Sequence, residues 1–171
     1  MTSGRLASGP FRLMAGCVRL WETVLAAILA AIMLLTFVDV IGRYALNAPL
    51  RGAYEITELA MGVLVLGALP MVSARREHIR VDLADALMTG RAGPLRDILV
   101  ALATCAISGL VAWQLWHRAG KALREGDATF LLALPTAPFT FAMAVFVTLN
   151  TLVLAVHLIL AGRAAAMPEA R

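Results

Sequence analysis

The chain has 171 residues, of which 61% are hydrophobic and only 15% are charged. Soluble domains carry about 25% charged residues, so the excess apolar surface of this chain must face lipid and not water. The formal net charge is +4, and the basic residues cluster between apolar runs. That pattern is typical of membrane topology and not of a nucleic-acid surface. Composition therefore predicts an integral membrane protein with lipid, and not nucleic acid, as its surroundings.

Four apolar runs divide the chain and predict an all-α integral membrane fold with four transmembrane helices. The predicted spans cover about 21–43, 54–74, 96–117 and 139–162. Arginines ahead of the first run also fit a signal peptide. That run is too long for a signal sequence, however, and no polar mature start follows a small-residue cleavage site. We expect residues 1–171 to form a single four-helix transmembrane domain.

Lys and Arg are distributed unevenly between the predicted loops. Ten of the fifteen lie on the side that holds both termini and the loop between spans two and three. The side richer in Lys and Arg is the cytoplasmic side in most membrane proteins. We therefore expect both termini in the cytoplasm. The turn between spans one and two and the turn between spans three and four are expected outside.

Three connecting segments carry their own patterns. In 78–87, apolar residues recur at helical spacing, which predicts a short amphipathic helix on the cytoplasmic interface. The charged segment 118–127 predicts a second short helical connection on the outer side. The apolar segment 128–136 is expected to lie in the interface or in a protein-lined cleft, because unpaired backbone groups cannot face lipid.

Ionisable side chains lie near the outer ends of spans one and two. Asp39 and Arg43 are four residues apart, so we expect them to pair on one helix face. Glu55 and Glu58 share a face at the start of span two, within reach of Arg43 across a short connection. Transport sites usually lie near the bilayer midplane at interrupted helices. We therefore expect these residues to fix topology and helix depth, with binding of a substrate or coupling ion as the alternative.

No catalytic, cofactor or metal site is predicted. His117 and His157 lie near opposite ends of spans three and four, so they cannot ligate one haem. The sequence has no Ser–His–Asp set at sensible depth, no phosphate loop, no HExxH and no CxxC. Near the middle of span four, the amide of Asn150 is expected to need a hydrogen-bonding partner, within this chain or on another.

An ordered set of motifs runs from Phe37 to Leu83. It comprises an Arg-Tyr end to span one, an Asn-x-Pro-Leu turn, an acidic start to span two, a glycine within it, and an Arg-x-x-His-Ile-x-Val-Asp stretch (Arg43, Tyr44, Asn47, Pro49, Leu50, Glu58, Gly67, Arg75, His78, Ile79, Val81 and Asp82). This combination resembles the small membrane subunit of tripartite ATP-independent periplasmic (TRAP) transporters. The chain departs from that family in having Thr57 where a second acid often stands, and no aromatic residue in 61–66.

The resemblance implies a role in solute uptake. In such transporters a soluble periplasmic protein captures the solute, often an organic acid. A large membrane subunit then carries the solute across the inner membrane, driven by a Na⁺ or H⁺ gradient. The small subunit supports the large one and helps to dock the binding protein. Structural or interface roles are expected for Asp39, Arg43, Asn47, Pro49, Glu55, Glu58, Arg75, His78 and Asp82. Candidate docking contacts are Arg51, Arg118, Lys121 and Arg124, with a merely solvated outer loop as the alternative.

Two other functions fit a small four-span chain. A self-sufficient homo-oligomeric channel or exporter would favour a polar stripe along one span, and none is evident. A membrane anchor for a respiratory enzyme would favour haem ligands at matching depth, which the two separated histidines do not provide. The sequence does not identify the solute, the coupling ion or the stoichiometry.

Overall fold

The computed structural model describes residues 9–74 and 93–166. These residues form four helices, α1 (Gly9–Ala45), α2 (Ala53–Ala74), α3 (Gly93–Glu125) and α4 (Ala137–Ala166). Each helix is long and apolar enough to cross a membrane. Within the two described stretches there is no β-strand. The prediction of an all-α fold with four membrane-spanning helices is confirmed.

The predicted interfacial helix at 78–87 lies outside the described residues. The same holds for Arg75, His78 and Asp82, which belong to the last part of the motif set. Their expected roles stay predictions.

The helix α3 is longer than the span predicted for it. It continues without a break through Arg118, Lys121 and Arg124 to Glu125. The charged segment expected to form a separate connection is therefore the last part of α3. Charge keeps a residue out of hydrocarbon but not out of a helix, because long side chains extend into water from a helical backbone.

The chain divides into two compact units, Met1–Leu64 and Val65–Arg171. The first unit contains α1, the turn that follows it and the beginning of α2. The second unit contains the rest of α2 together with α3 and α4.

The core of the second unit lies between α3 and α4 and consists mainly of small side chains. Its buried apolar members are Ala112, Ala119 and Ala122 on α3, and Ala137, Ala144, Val147 and Leu154 on α4. Spacings of three and seven residues place each set on one helix face. In lipid no hydrophobic force drives helices together, so close packing through small residues provides the attraction.

Backbone hydrogen bonds hold both ends of the connection between α3 and α4. At the end of α3, Gly126 adopts a φ of 69°, and the Asp127 N–H donates to the Ala122 carbonyl at 3.0 Å. This is a Schellman cap, in which a left-handed glycine lets the chain satisfy a terminal carbonyl. At the start of α4, the Thr140 N–H donates to the Thr136 carbonyl at 3.1 Å. Pro138 fits there because first-turn N–H groups have no helical partner.

Candidate functional site

The carboxylate of Asp39 organises the turn between α1 and α2. Its Oδ2 accepts a hydrogen bond from Arg43 Nη2 at 2.7 Å, and its Oδ1 accepts one from the Leu50 N–H at 2.9 Å. The Asp39 side chain is 14% exposed, whereas that of Arg43 is 57% exposed. A mostly buried carboxylate with both oxygens bonded is well satisfied, and it ties the end of the turn back to α1.

The backbone of this turn also approaches α1 closely. The Ala48 N–H donates to the Gly42 carbonyl at 2.8 Å. A Cβ atom on Gly42 would lie only 2.7 Å from the Ala48 carbonyl oxygen, so no larger residue fits without moving the backbone. Asn47 reverses the chain with a φ of 53°, a left-handed conformation that Asn adopts more readily than most residues.

The structure shows where the residues predicted at the outer ends of spans one and two lie. The prediction that Asp39 pairs with Arg43 is confirmed. Glu55 is buried and Glu58 is exposed, both in the first turns of α2. Arg51 is exposed in the turn itself. The roles expected for these residues, and for Asn47 and Pro49, stay predictions.

A buried polar cluster, the Asn150 cluster, joins α2, α3 and α4. Ser73 Oγ lies 2.5 Å from Asn150 Oδ1, and Asn150 Nδ2 lies 3.0 Å from Ser108 Oγ. Ser108 Oγ is 2.8 Å from Thr151 Oγ1. Ser73, Ser108 and Asn150 are all buried. The prediction that Asn150 needs a partner is confirmed, and this chain provides partners for both ends of the amide.

The direction of each bond in the Asn150 cluster follows from the hydroxyl groups. The Thr151 hydroxyl donates to the Val147 carbonyl at 2.9 Å, so its oxygen accepts from Ser108. The Ser108 oxygen accepts from the Asn150 amide, and the Asn150 carbonyl accepts from Ser73. A hydroxyl carries a single proton. The hydrogen bonds therefore run in one direction, from α2 through α4 and α3 to the backbone of α4.

A second polar contact between α3 and α4 lies nearer the C-terminal end of α3. Trp116 Nε1 donates to Thr148 Oγ1 at 3.1 Å, while the Thr148 hydroxyl donates to the Ala144 carbonyl at 2.7 Å. The Trp116 ring also meets Phe141 edge to face, with ring centroids 5.7 Å apart. Indole groups have an apolar ring and one donor, so Trp116 suits a helix contact close to the membrane boundary.

The end of α3 presents basic side chains to solvent. Arg118, Lys121 and Arg124 are exposed. Lys121 Nζ lies 3.7 Å from Glu125 Oε2, and both side chains are more than half exposed. Exposed ion pairs of this kind contribute about 0–1 kcal/mol, so they leave the lysine available to another acidic group.

Three features of these sites are not predicted from the sequence. Gly42 packs against the backbone of the turn. The sequence signal for such a contact is a glycine in the last turns of a long apolar helix. Ser73 is one partner of Asn150, but a lone serine in an apolar run gives no indication of which helix it meets. The hairpin at 127–136 also went unpredicted, because its shape depends on hydrogen bonds within the turn.

The described residues offer neither a metal site nor an unsatisfied polar group. In 9–74 and 93–166, no group of three His, Cys, Asp or Glu side chains is arranged to hold a metal ion. Among those residues, no buried side-chain nitrogen or oxygen is without a hydrogen-bond partner. The buried polar groups therefore hold the helices to one another and are not aimed at an empty space.

Comparison with known proteins identifies the family. No curated protein matches the chain. A family model described as "Tripartite ATP-independent periplasmic transporters, DctQ component" matches residues 32–163. The matched stretch begins within α1 and extends almost to the end of α4, well over half of the chain. The chain therefore belongs to the DctQ family of tripartite ATP-independent periplasmic transporters, a family of membrane transport components and not of enzymes.

Proposed function

We propose that this chain is the small membrane subunit of a tripartite secondary transporter in a bacterial inner membrane, with both termini in the cytoplasm. It supports the large transport subunit and helps to dock the periplasmic binding protein. The complete transporter imports an organic acid or similar small solute, driven by a Na⁺ or H⁺ gradient. The observation that carries this proposal is the family match over residues 32–163.

The geometry of the second unit supports a static role. In the Asn150 cluster, buried hydroxyl and amide groups are bonded to one another across three helices. A transport site needs polar groups that exchange their partners for a solute or an ion, and such sites lie near the midplane. Groups that are satisfied by neighbouring helices instead fix how those helices pack.

The charges of the first unit support an interface role. Asp39 uses both carboxylate oxygens within the turn, so it is poorly suited to coordinate a moving ion. Its bonds hold the turn in one shape, beside the exposed Arg51. In this proposal Asp39, Arg43, Asn47, Pro49, Glu55 and Glu58 shape the surface that meets the large subunit.

The basic end of α3 supports a docking role. Arg118, Lys121 and Arg124 are exposed, and the predicted topology assigns this end of the helix to the outer side. Positive surface charge attracts an acidic partner at long range and raises the rate of encounter. In this proposal these residues, with Arg51, steer the binding protein to the membrane subunits.

Co-purification with the large subunit tests the supporting role. The full chain, carrying an affinity tag, is co-expressed with the large membrane subunit of the same transporter and extracted in detergent. We expect the two to elute together in a fixed ratio, and uptake by whole cells to stop when this chain is deleted. Normal uptake without the chain would contradict the proposal, as would solute transport by the chain alone in liposomes.

Charge reversal tests the docking role. The complex of both membrane subunits is placed in nanodiscs, and the affinity of the soluble binding protein is measured at low and high salt. Replacing Arg118, Lys121 and Arg124 with Glu should slow association and remove most of its salt dependence. The matched control is Arg19→Glu, an exposed arginine that the predicted topology assigns to the cytoplasmic side. Equal effects of both reversals would contradict the docking role.

A further inference from the structure

The connection between α3 and α4 is an ordered hairpin, the apolar hairpin (residues 127–136). Ala128 and Pro135 pair as an antiparallel bridge. The Thr129 N–H donates to the Leu134 carbonyl at 2.9 Å, and the Leu134 N–H donates to Thr129 Oγ1 at 3.1 Å. Thr136 closes the base, since its N–H and its hydroxyl both donate to the Asp127 carbonyl.

The tip of the apolar hairpin is equally constrained. The Ala133 N–H donates to the Thr129 carbonyl at 3.1 Å, and Ala133 takes a φ of 53°. A non-glycine residue in this left-handed region is uncommon and persists only where its surroundings impose it. The chain therefore adopts a defined shape around residues 130–132.

This ordered tip presents apolar side chains outward. Phe130 is 97% exposed, Leu131 is 60% exposed and Leu132 is 38% exposed. Two or three large apolar side chains at the end of a hydrogen-bonded turn are unfavourable in water. A fixed turn loses little conformational entropy on binding, so it holds such side chains ready for a partner. The tip has the composition and rigidity of a binding anchor.

The charges of α3 separate this tip from the hydrocarbon. Arg118, Lys121, Arg124 and Glu125 occupy the last turns of α3, immediately before the apolar hairpin. From Arg118 to Glu125 the helix rises about 10 Å at 1.5 Å per residue. Charged side chains keep these turns outside the apolar part of the bilayer. With span three predicted to end at residue 117, the base of the hairpin lies about 10 Å further along the axis of α3. In that predicted topology a protein, and not lipid tails, is the apolar partner at this height.

The surroundings of the tip indicate the charge of that partner. Three exposed basic side chains stand on the last turns of α3, and one of them forms a long, solvent-exposed contact with Glu125. A complementary surface would carry carboxylates around an apolar pocket, because interfaces combine a buried apolar centre with a polar rim. A soluble acidic protein fits this combination better than a lipid headgroup layer does.

We infer that the apolar hairpin is the docking anchor for the soluble binding protein, with Phe130 inserted into an apolar pocket that acidic residues surround. This inference rests on the proposed function, in which the outer face of the chain receives that protein. It adds the residue that holds the complex together after the basic end of α3 has guided the encounter. Phe130 determines how long the complex lasts, and the basic residues determine how fast it forms.

Photocrosslinking identifies the occupant directly. Phe130 is replaced by p-benzoylphenylalanine in the complex of both membrane subunits in nanodiscs, which is irradiated with and without the binding protein. We expect a crosslink to the binding protein that appears only when it is present. A crosslink to lipid or to the large subunit in both conditions would overturn the inference, as would no crosslink at all. Leu152, 59% exposed on α4, is the control position, and its crosslinks should not depend on the binding protein.

Affinity measurements distinguish the contribution of Phe130 from that of the hydrogen bonds that hold the apolar hairpin. Aromatic anchors at interface centres typically account for a large share of binding, so Phe130→Ala should weaken docking by about tenfold or more. That loss should appear mainly in the dissociation rate, and Phe130→Leu should restore part of it. Thr129→Val, which removes the acceptor for the Leu134 N–H, should weaken docking less. Leu152→Ala is the control and should bind as the unchanged complex does.

The outcomes distinguish this inference from the proposed function. If the unchanged complex does not bind the binding protein, the docking part of the proposed function fails before any variant is compared. If the unchanged complex binds it and Phe130→Ala binds equally well with the same dissociation rate, the proposed function stands and the anchor is wrong.

Discussion

The turn between α1 and α2 and the apolar hairpin between α3 and α4 are fixed by different chemistry. In the first, a carboxylate forms the essential bonds, since Asp39 accepts from Arg43 and from the Leu50 N–H. In the second, all of the described bonds are neutral and involve the backbone together with the hydroxyls of Thr129 and Thr136. In the first turn, the charged carboxylate of Asp39 therefore bonds to groups of the turn itself. At the hairpin, the basic side chains of α3 and the apolar side chains of the tip remain exposed.

In the proposed function, that difference lets one small chain meet two kinds of partner. A turn held by charge-assisted bonds is stiff and changes shape little when it packs against another membrane protein. An apolar tip on a neutral hairpin, beside basic groups, suits a soluble protein that must bind and leave repeatedly. We expect substitutions in the first turn to act on folding and assembly, and substitutions at the hairpin tip to act on docking.

The largest expected effect comes from adding a side-chain atom at Gly42, where the turn backbone approaches α1 closely. In Gly42→Ala the new Cβ would meet the Ala48 carbonyl oxygen at 2.7 Å, a backbone atom that cannot move alone. Overpacking of this kind costs about 1–3 kcal/mol, which should lower the thermal unfolding midpoint of the purified chain in nanodiscs. Gly109→Ala is the matched control, because its Cβ would meet Thr151 Cγ2 at an ordinary 3.8 Å. Equal stability of the two variants would refute the close approach.

The next largest effect should come from Asp39, where two substitutions separate its two bonds. Asp39→Ala removes both acceptors and should destabilise the first turn by about 2 kcal/mol, since bonds to charged groups contribute about 1.5–3 kcal/mol. Asp39→Asn keeps an oxygen for the Leu50 N–H and should lose less. The measurement is again thermal unfolding, together with recovery of the large subunit by co-purification. If Asn is as harmful as Ala, the bond to Leu50 is not what holds the turn.

A smaller effect is expected in the Asn150 cluster. Asn150→Leu leaves the hydroxyls of Ser73 and Ser108 without their amide partner, while the added apolar surface suits a membrane helix. Hydrogen bonds between membrane helices contribute about 0.6 kcal/mol on average and at most about 1.7 kcal/mol, so we expect a loss of about 1 kcal/mol. A double-mutant cycle with Ser73→Ala measures the coupling. Strict additivity would show that the two side chains do not interact.

The smallest effect should follow removal of the exposed pair on α3. Lys121→Ala breaks a contact of 3.7 Å between two largely exposed side chains, so its effect on stability should stay below about 0.5 kcal/mol. Association with the binding protein should nevertheless become slower and less salt-dependent. Glu125→Ala is the paired control and should leave stability unchanged while making association slightly faster. A large loss of stability in Lys121→Ala would remove the contrast between the two turns.

Much of this architecture could be predicted because lipid imposes simple rules. Four long apolar runs had to be helices, since only helices satisfy their own backbone in hydrocarbon within one segment. The pairing of Asp39 with Arg43 followed from helical spacing alone. Asn150 was correctly expected to need a partner, because its amide could not remain unbonded within a span.

The remaining features depend on contacts between distant residues. Nothing in the spacing of Asp39 and Leu50, eleven residues apart, indicates that a side chain meets a backbone N–H across a turn. The left-handed Ala133 has no signal in the sequence, because alanine rarely adopts that conformation. The predicted span three ends at residue 117 because charge was used to end it. The helix α3 continues to Glu125, since helix propensity does not end where hydrocarbon does.

The Asn150 cluster also has a consequence for how the chain is made. Ser73 and Asn150 are 77 residues apart, and the acceptor is synthesised last. During insertion α2 leaves the ribosome well before α4. The hydrogen bond from Ser73 to Asn150 therefore does not yet exist when α2 enters the bilayer. This hydrogen bond between α2 and α4 can therefore form only after translation has passed Asn150. A polypeptide stopped before that residue would lack the bond between Ser73 and Asn150.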